Sequence, residues 1–283
     1  MVKLDKEIIS NIIKLHFEGI NNTEIAKIVG LSISTIGRHL KLAIGYEAMS
    51  NMSKLKKKFS LDEDYFQNID TEEKAYWLGF LYADGYIYCA RKKNSGRFSR
   101  CLKLTLMNDD YDHLIKFQKA LGSNVSIKLD TRHKDIGDVI YPSLKIYNKK
   151  LVLDLIDKGC MQAKTHILTF PTFLNQALKR HFIRGYFDGD GCITRYDKTT
   201  NKSAYFMITG RKDFLLEIQK QLNNDQGLTF TKLYKRHKDR DDDILTLYYG
   251  GIHVMQKIKE YLYENATIYL DRKYKKFHEW VIY

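Results

Sequence analysis

The chain has 283 residues, 44% hydrophobic and 29% charged, enough for two or three folded domains and unlike the composition of a disordered protein. Lys and Arg outnumber Asp and Glu by 47 to 34, a formal net charge of +13 with a pI near 9.3, which points to a polyanionic partner, nucleic acid before an anionic membrane. Four scattered cysteines without a Cys-x-x-Cys pair argue against a zinc ribbon or a disulfide framework, and no apolar run is long enough to span a bilayer; a cytoplasmic, nucleoid-associated protein is expected.

The first 45 residues read as three short helices. Ile8, Ile9, Ile12, Ile13 and Leu15 make a helical stripe that stops at Gly19. A second helix starts at Asn22 as its capping candidate and closes on Gly30; a third starts at Ser32 and buries Ile36 and Leu40. Short helix, glycine turn, short helix is the pattern of a helix-turn-helix, which would turn Ser34, Thr35, Arg38 and His39 to the major groove. A small helical packing module is the alternative, because Ser and Thr also begin helices for local reasons. Residues 46–60 lose the periodicity and carry Lys54, Lys56, Lys57 and Lys58. They read as a basic linker able to attract phosphates without reading sequence.

From residue 61 onward one unit is written twice, as 61–174 and 175–283. In the first copy a helix is followed by strands at "YIYCA" and "RCLKLTLM", a helix "DYDHLIKFQKALG", strands "VSIKLD" and "SLKIY", and a helix "KKLVLDLIDKG". The second repeats the order with "CITRYD", "SAYFMITG", "RKDFLLEIQKQLN", "LTFTKLYKR", "ILTLYYG" and "IHVMQKIKEYLY". The expected fold is therefore α+β, two pseudo-symmetric αββαββα halves behind a small all-α domain. A period of about 106 residues is too long for a solenoid.

Each copy opens on an apolar helix that ends on an aspartate: "AYWLGFLYADGYI" at 75–87 and "HFIRGYFDGDGCI" at 181–193. Gly79 and Ala83 in the first, and Gly185 and Gly189 in the second, are four apart and lie on one helical face. They leave a shallow groove in which two helices can pack at backbone distance. Packed about the pseudo-twofold axis, the helices bring Asp84 and Asp190 side by side at two negative helix ends, an arrangement a cation must offset. Hard oxygen donors without His or Cys nearby fit Mg²⁺ better than zinc. Paired carboxylates that hold metal beside a basic surface suit phosphodiester hydrolysis. A single Asp-Gly would be read as a plain helix end; two at matched depth are not so easily dismissed.

Residues 77–85 and 183–191 resemble the two signature motifs of single-chain LAGLIDADG homing endonucleases, keeping the glycine, the small residue, the penultimate aspartate and the final glycine. The resemblance covers about residues 61–283 and departs from the name pattern at Tyr82, where the second motif has Asp188. It implies a DNA-binding saddle of two antiparallel sheets, a double-strand break across the minor groove, Mg²⁺ with Mn²⁺ as a substitute, and metal ligation by Asp84, Asp190 and the backbone carbonyls of Ala83 and Gly189. It also implies a lysine near each attacking water: Lys164, 80 residues after Asp84, and Lys273, 83 after Asp190, are the candidates, with phosphate contact as their alternative role.

For DNA contacts the basic sets are Arg91, Lys92, Lys93, Arg97, Arg100 and Lys103 in the first half, and Lys232, Lys235, Arg236, His237, Lys238 and Arg240 in the second. Alternate strand residues share a face, so about half of each set can point at DNA. Duplex DNA is the expected partner of a monomer. Two rivals stand: a catalytically silent DNA-binding regulator, against which the two retained aspartates argue, and an intron maturase binding RNA, against which the helix-turn-helix argues. Met1 and the terminal "WVIY" lack the splicing residues of an intein, so a free-standing enzyme of a mobile intron or intergenic element is expected.

Overall fold

The computed structural model describes residues 5–18, 20–44, 59–91, 98–134, 137–161, 167–198, 201–235 and 243–281. The chain divides into two compact units, Met1–Phe59 and Ser60–Tyr283.

In the first unit, α1 (Lys6–Phe17), α2 (Asn22–Val29) and α3 (Ile33–Ile44) are set by local signals. Asn21, not Asn22, caps α2: its side chain accepts from the amides of Thr23 and Glu24, each at 3.0 Å. A cap must stand outside the helix with extended backbone, and Asn22 is already the first helical residue. Gly30 ends α2 with φ of +67°, a left-handed conformation that costs glycine little. The Ser32 hydroxyl then accepts from the Thr35 amide at 3.2 Å to begin α3. Ile12, Ile25, Ala26, Ile36 and Leu40 form the core of this unit.

The second unit repeats αββαββα. The first half is α4 (Glu72–Asp84), β1 (Gly85–Arg91), β2 (Phe98–Thr105), a 3-10 turn (Asn108–Asp110), α5 (Tyr111–Ala120), β3 (Lys128–Lys134), β4 (Gly137–Ile146) and α6 (Lys149–Asp157). The second half is α7 (Gln176–Asp190), β5 (Cys192–Lys198), β6 (Asn201–Arg211), α8 (Lys212–Gln226), β7 (Tyr234–Lys235), β8 (Ile244–Gly250) and α9 (Ile252–Tyr263). A further helix follows, α10 (Asp271–Trp280). Each half builds one antiparallel four-stranded sheet, in the orders β1-β2-β4-β3 and β5-β6-β8-β7. Ile87, Leu102, Leu104, Leu144 and Ile146 are buried on one face of the first sheet; Ile193, Phe206, Ile208, Leu247 and Tyr249 are buried on one face of the second. The core under both sheets is continuous and includes α4, which is buried on every side from Ala75 to Tyr82.

Three elements differ from the sequence expectation. Among the described residues the strand expected over "LTFTKLYKR" is only Tyr234–Lys235, because the chain before it is held by Gln219, whose side chain accepts from the Thr231 amide at 2.8 Å and donates to the Thr231 carbonyl at 3.2 Å. β3 begins at Lys128 rather than at Val125. α10 is an element the sequence reading does not contain: it buries only Lys273 and Phe277, so its polar composition hides its helical stripe. No described helix is long and apolar enough to cross a membrane.

Candidate active site at the helix seam

α4 and α7 meet backbone to backbone. A Cβ added at Gly79 would overlap the carbonyl of Phe182 and approach the Tyr186 amide within 2.9 Å. A Cβ added at Gly185 would likewise overlap the carbonyl of Tyr76 and come within 2.9 Å of the Phe80 amide. The two contacts are related by the pseudo-twofold axis, and only glycine permits either. At the C-terminal end, a Cβ on Gly189 would overlap that of Ala83 and lie 3.4 Å from Asp84 Oδ2. The expected seam residues thus meet, and the carboxylate of Asp84 reaches the end of the opposite helix. Asp84 and Asp190 are both exposed there, and a cleft of about 540 Å³ beside Asp190 is lined by Tyr82, Ala83, Cys192, Met207 and Thr209 among others.

Lys273, buried in the first turn of α10, is brought to this site. Its ammonium donates to the carbonyls of Phe187 (2.6 Å), Gly189 (3.1 Å) and Gly191 (2.5 Å). A cation there meets carbonyls at the negative end of α7, one of which, that of Phe187, also accepts from the Gly191 amide. Burial lowers its pKa to about 8 against the opposing pull of Asp188, Asp84 and Asp190. The ammonium of Lys273 thus lies against the end of the helix that carries Asp190. Gly189, expected to offer its carbonyl to metal, shares that carbonyl with Lys273. Lys164 lies outside the described residues.

The residue at which the second motif departs from the first is a hub. Asp188, fully buried, accepts from the hydroxyls of Tyr76 (2.9 Å) and Tyr263 (2.8 Å) and from the Leu270 amide (2.7 Å), just ahead of α10. Burial raises its pKa, while Lys273 and these three donors pull it down. Beside it, buried Arg184 donates to the carbonyls of Ile268 (2.9 Å) and Leu262 (3.0 Å) and to Glu72 of α4 at 2.5 Å. Tyr76 also lies 3.0 Å from Nε2 of His113. Since Tyr76 gives its proton to Asp188, His113 must be the donor in that bond, and burial, reinforced by Lys116, Arg272 and Lys273, holds its pKa down to about 3. Residues 106 apart occupy equivalent places, so the mate of the Tyr76–Asp188 pair is Phe182–Tyr82. Those two rings meet edge-on with centroids 4.9 Å apart. The seam is polar on one side of its axis and aromatic on the other.

The strand register sorts the basic residues. Arg91 and Arg100 share a face with buried Ile87 and Leu102, and Lys103 stands on the opposite, open face. The open face carries Lys103 together with Lys128, Arg132 and Lys145, three residues the sequence reading missed. Lys235 pairs with Leu245 and is exposed at the edge of the second sheet; exposed Lys232 precedes β7. Lys54, Lys56, Lys57, Lys58, Lys92, Lys93, Arg97, Arg236, His237, Lys238 and Arg240 lie outside the described residues. In α3, Ser34 and Arg38 are exposed and Thr35 and His39 partly so. The hydroxyls of Ser34 and Thr35 each stand 2.8 Å from that of Ser32.

Residues 177–276 match the family model of the LAGLIDADG-like domain. Meganuclease I-SmaMI bound to an uncleaved DNA target in the presence of calcium ions is similar in fold, with a TM-score of 0.52 at 14% identity over 73% of this chain and 88% of that one. A second structure of I-SmaMI, bound to uncleaveable DNA with a TTCT central four, gives 0.50 at 15% identity over 72% and 88%. No curated protein matches the chain in sequence.

Proposed function

From a chain that carries a LAGLIDADG-like domain over residues 177–276 and has the fold of DNA-bound LAGLIDADG meganucleases, we propose a site-specific, divalent-metal-dependent DNA endonuclease that makes a double-strand break in a long target, as homing endonucleases do. The observation that carries this reading is the convergence of Asp84 and Asp190 on glycine-packed helix ends beside the buried cation of Lys273.

The donors fit a hard divalent cation. Both carboxylates stand at helix C-termini, where backbone dipoles already concentrate negative charge. Asp84 and Asp190, with the backbone carbonyls of Ala83 and Gly189, would hold the ion, and phosphate and water would supply the remaining oxygens. Bound Mg²⁺, or Mn²⁺ in its place, would supply an activated water and neutralise charge on the leaving oxygen. The protein's own part is positional. The glycine seam sets the separation of the two carboxylates, Lys273 fixes the end of α7, and the open face of the first sheet offers basic side chains to the DNA.

The decisive experiment incubates purified protein with duplex selected by binding, with Mg²⁺, with Mn²⁺ and with chelator. Metal-dependent cutting by the wild type, lost in Asp84→Asn and Asp190→Asn while binding persists, is the expected result. Tight sequence-specific binding without cutting in either metal would favour the regulator reading, and preference for structured RNA over duplex DNA the maturase reading.

A further inference from the structure

The two sheets carry different chemistry at one symmetry-related position. Tyr86 follows Gly85 and pairs with Lys103; Cys192 follows Gly191 and pairs with Met207. Lys103 and Met207 are therefore equivalent, and so are their next partners across the sheet, Lys145 and Tyr248. One step along, the halves agree in kind: Thr105 faces Ser143, and Thr209 faces Thr246 with hydroxyls 3.2 Å apart. The difference lies at the pair and its immediate neighbours, Tyr86 against Cys192 and Cys101 against Tyr205.

Two lysines directly opposite on neighbouring strands destabilise a sheet. Asp130, 3.8 Å from Lys145 Nζ, relieves this only in part. Lys128 stands opposite Ser143, and Arg132, its guanidinium 4.8 Å from the ring centroid of Tyr141, extends the basic strip. Such a face is fitted to an edge rich in acceptors, and guanine offers O6 and N7 together in the major groove. At the same place in the second sheet, Met207 faces Tyr248, whose ring stacks on Tyr205 with centroids 5.1 Å apart. Arg211, further along that face, is held by both oxygens of Asp213 at 3.0 Å. An apolar and aromatic surface suits the C5 methyl of thymine.

Resting on the reading that this chain binds duplex DNA across its open sheet faces, we propose that its target is chemically lopsided. The half-site against the first sheet has a G·C pair where Lys103 and Lys145 reach, and the half-site against the second has an A·T pair whose methyl packs on Met207 and Tyr248.

The test selects binding sequences from a random duplex library in metal-free buffer, then measures affinity for single base-pair replacements. For wild type, replacing the one G·C pair should weaken binding roughly ten- to a hundredfold, the discrimination of a good bidentate contact. In Lys103→Gln/Lys145→Gln that penalty should vanish, and in Met207→Lys/Tyr248→Lys a new G·C preference should arise at the mirror position. Thermal melts confirm folding, and the gain of preference in the second variant cannot come from misfolding. A penalty unchanged in the first variant, or a uniform affinity loss with a shallower salt dependence, would make the lysines phosphate contacts and overturn the proposal. A selected target with equivalent halves would overturn it and leave the nuclease reading intact. Failure to select any sequence would remove both.

Discussion

Tyr76, on the opening helix of the first half, gives its hydroxyl proton to Asp188, on the opening helix of the second, across 2.9 Å of buried seam. A carboxylate fully inside the protein is tolerated because the charge of Lys273 offsets its own and because this bond, with those from Tyr263 and Leu270, replaces its water.

Removing one donor should therefore hurt less than exchanging the acceptor for something that answers none of them. Asp188→Ala leaves two tyrosine hydroxyls and an amide without their partner and should lower stability by about 3–5 kcal/mol. Tyr76→Phe should cost about 1–3 kcal/mol. Denaturant unfolding of the two variants checks this; an Asp188→Ala protein as stable as wild type would mean that other interactions hold the seam.

Lys273→Met should act on the reaction more than on binding. The carbonyls of Phe187, Gly189 and Gly191 lose their shared donor, and the end of α7 is no longer fixed beside Asp190. Single-turnover cleavage, measured well below the melting temperature, should slow by about one to three orders of magnitude. Affinity for the target should stay within a few fold. A large affinity loss with an unchanged cleavage rate would assign the lysine to phosphate binding instead.

His113 makes a pH signature. Its folded pKa of about 3 lies below the ordinary 6.5, so the unfolded chain binds a proton that the folded chain refuses. Stability contributed this way is present above pH 6.5 and is lost as pH falls towards 3, with a slope of up to about 1.4 kcal/mol per pH unit. Asp188, its pKa raised by burial, slopes the other way above the ordinary carboxylate range. The comparison with His113→Gln isolates the histidine. The variant's acid limb should be visibly flatter in thermal melts recorded between pH 4 and 7, and two parallel limbs would show that His113 titrates normally.

Thr35→Ala/Arg38→Ala tests whether the first unit reads DNA. Neither side chain belongs to the core of Ile12, Ile25, Ala26, Ile36 and Leu40, so folding should be unaffected. If α3 enters the major groove, footprints should shorten at one end only. Discrimination there should fall by about 1–3 kcal/mol for each base that the helix ceases to read. Unaltered footprints would leave the module a role other than target reading.

What can be read from sequence is what recurs at short range. The glycines at 79 and 185 announce a close approach because their helical spacing to the next small residue repeats, and the ββ pairs announce themselves by alternation. Asp188 cannot be read this way: its partners Tyr76, Tyr263 and Leu270 lie 112, 75 and 82 residues away. Lys128, Arg132 and Lys145 are legible in principle, since the alternation of Lys145 with Leu144 and Ile146 fixes its face. They form no cluster along the chain, however, and a search for charge clusters steps over them. Lys273 looks like one surface lysine among several, and only the packing of α10 reveals that it is buried.

The one-sided seam also makes the pairing of the two halves specific. In a homodimer of the second half, Asp188 would meet Phe182 in place of Tyr76, and Arg184 would meet Leu178 in place of Glu72, so each buried charge would lose its partner across the seam and keep only those from its own half. In a homodimer of the first half, Tyr82 would meet Tyr76, and Leu78 would meet Glu72. Each half is thus a lock cut for the other's key, and neither could pair with a copy of itself without giving up contacts that the present seam makes.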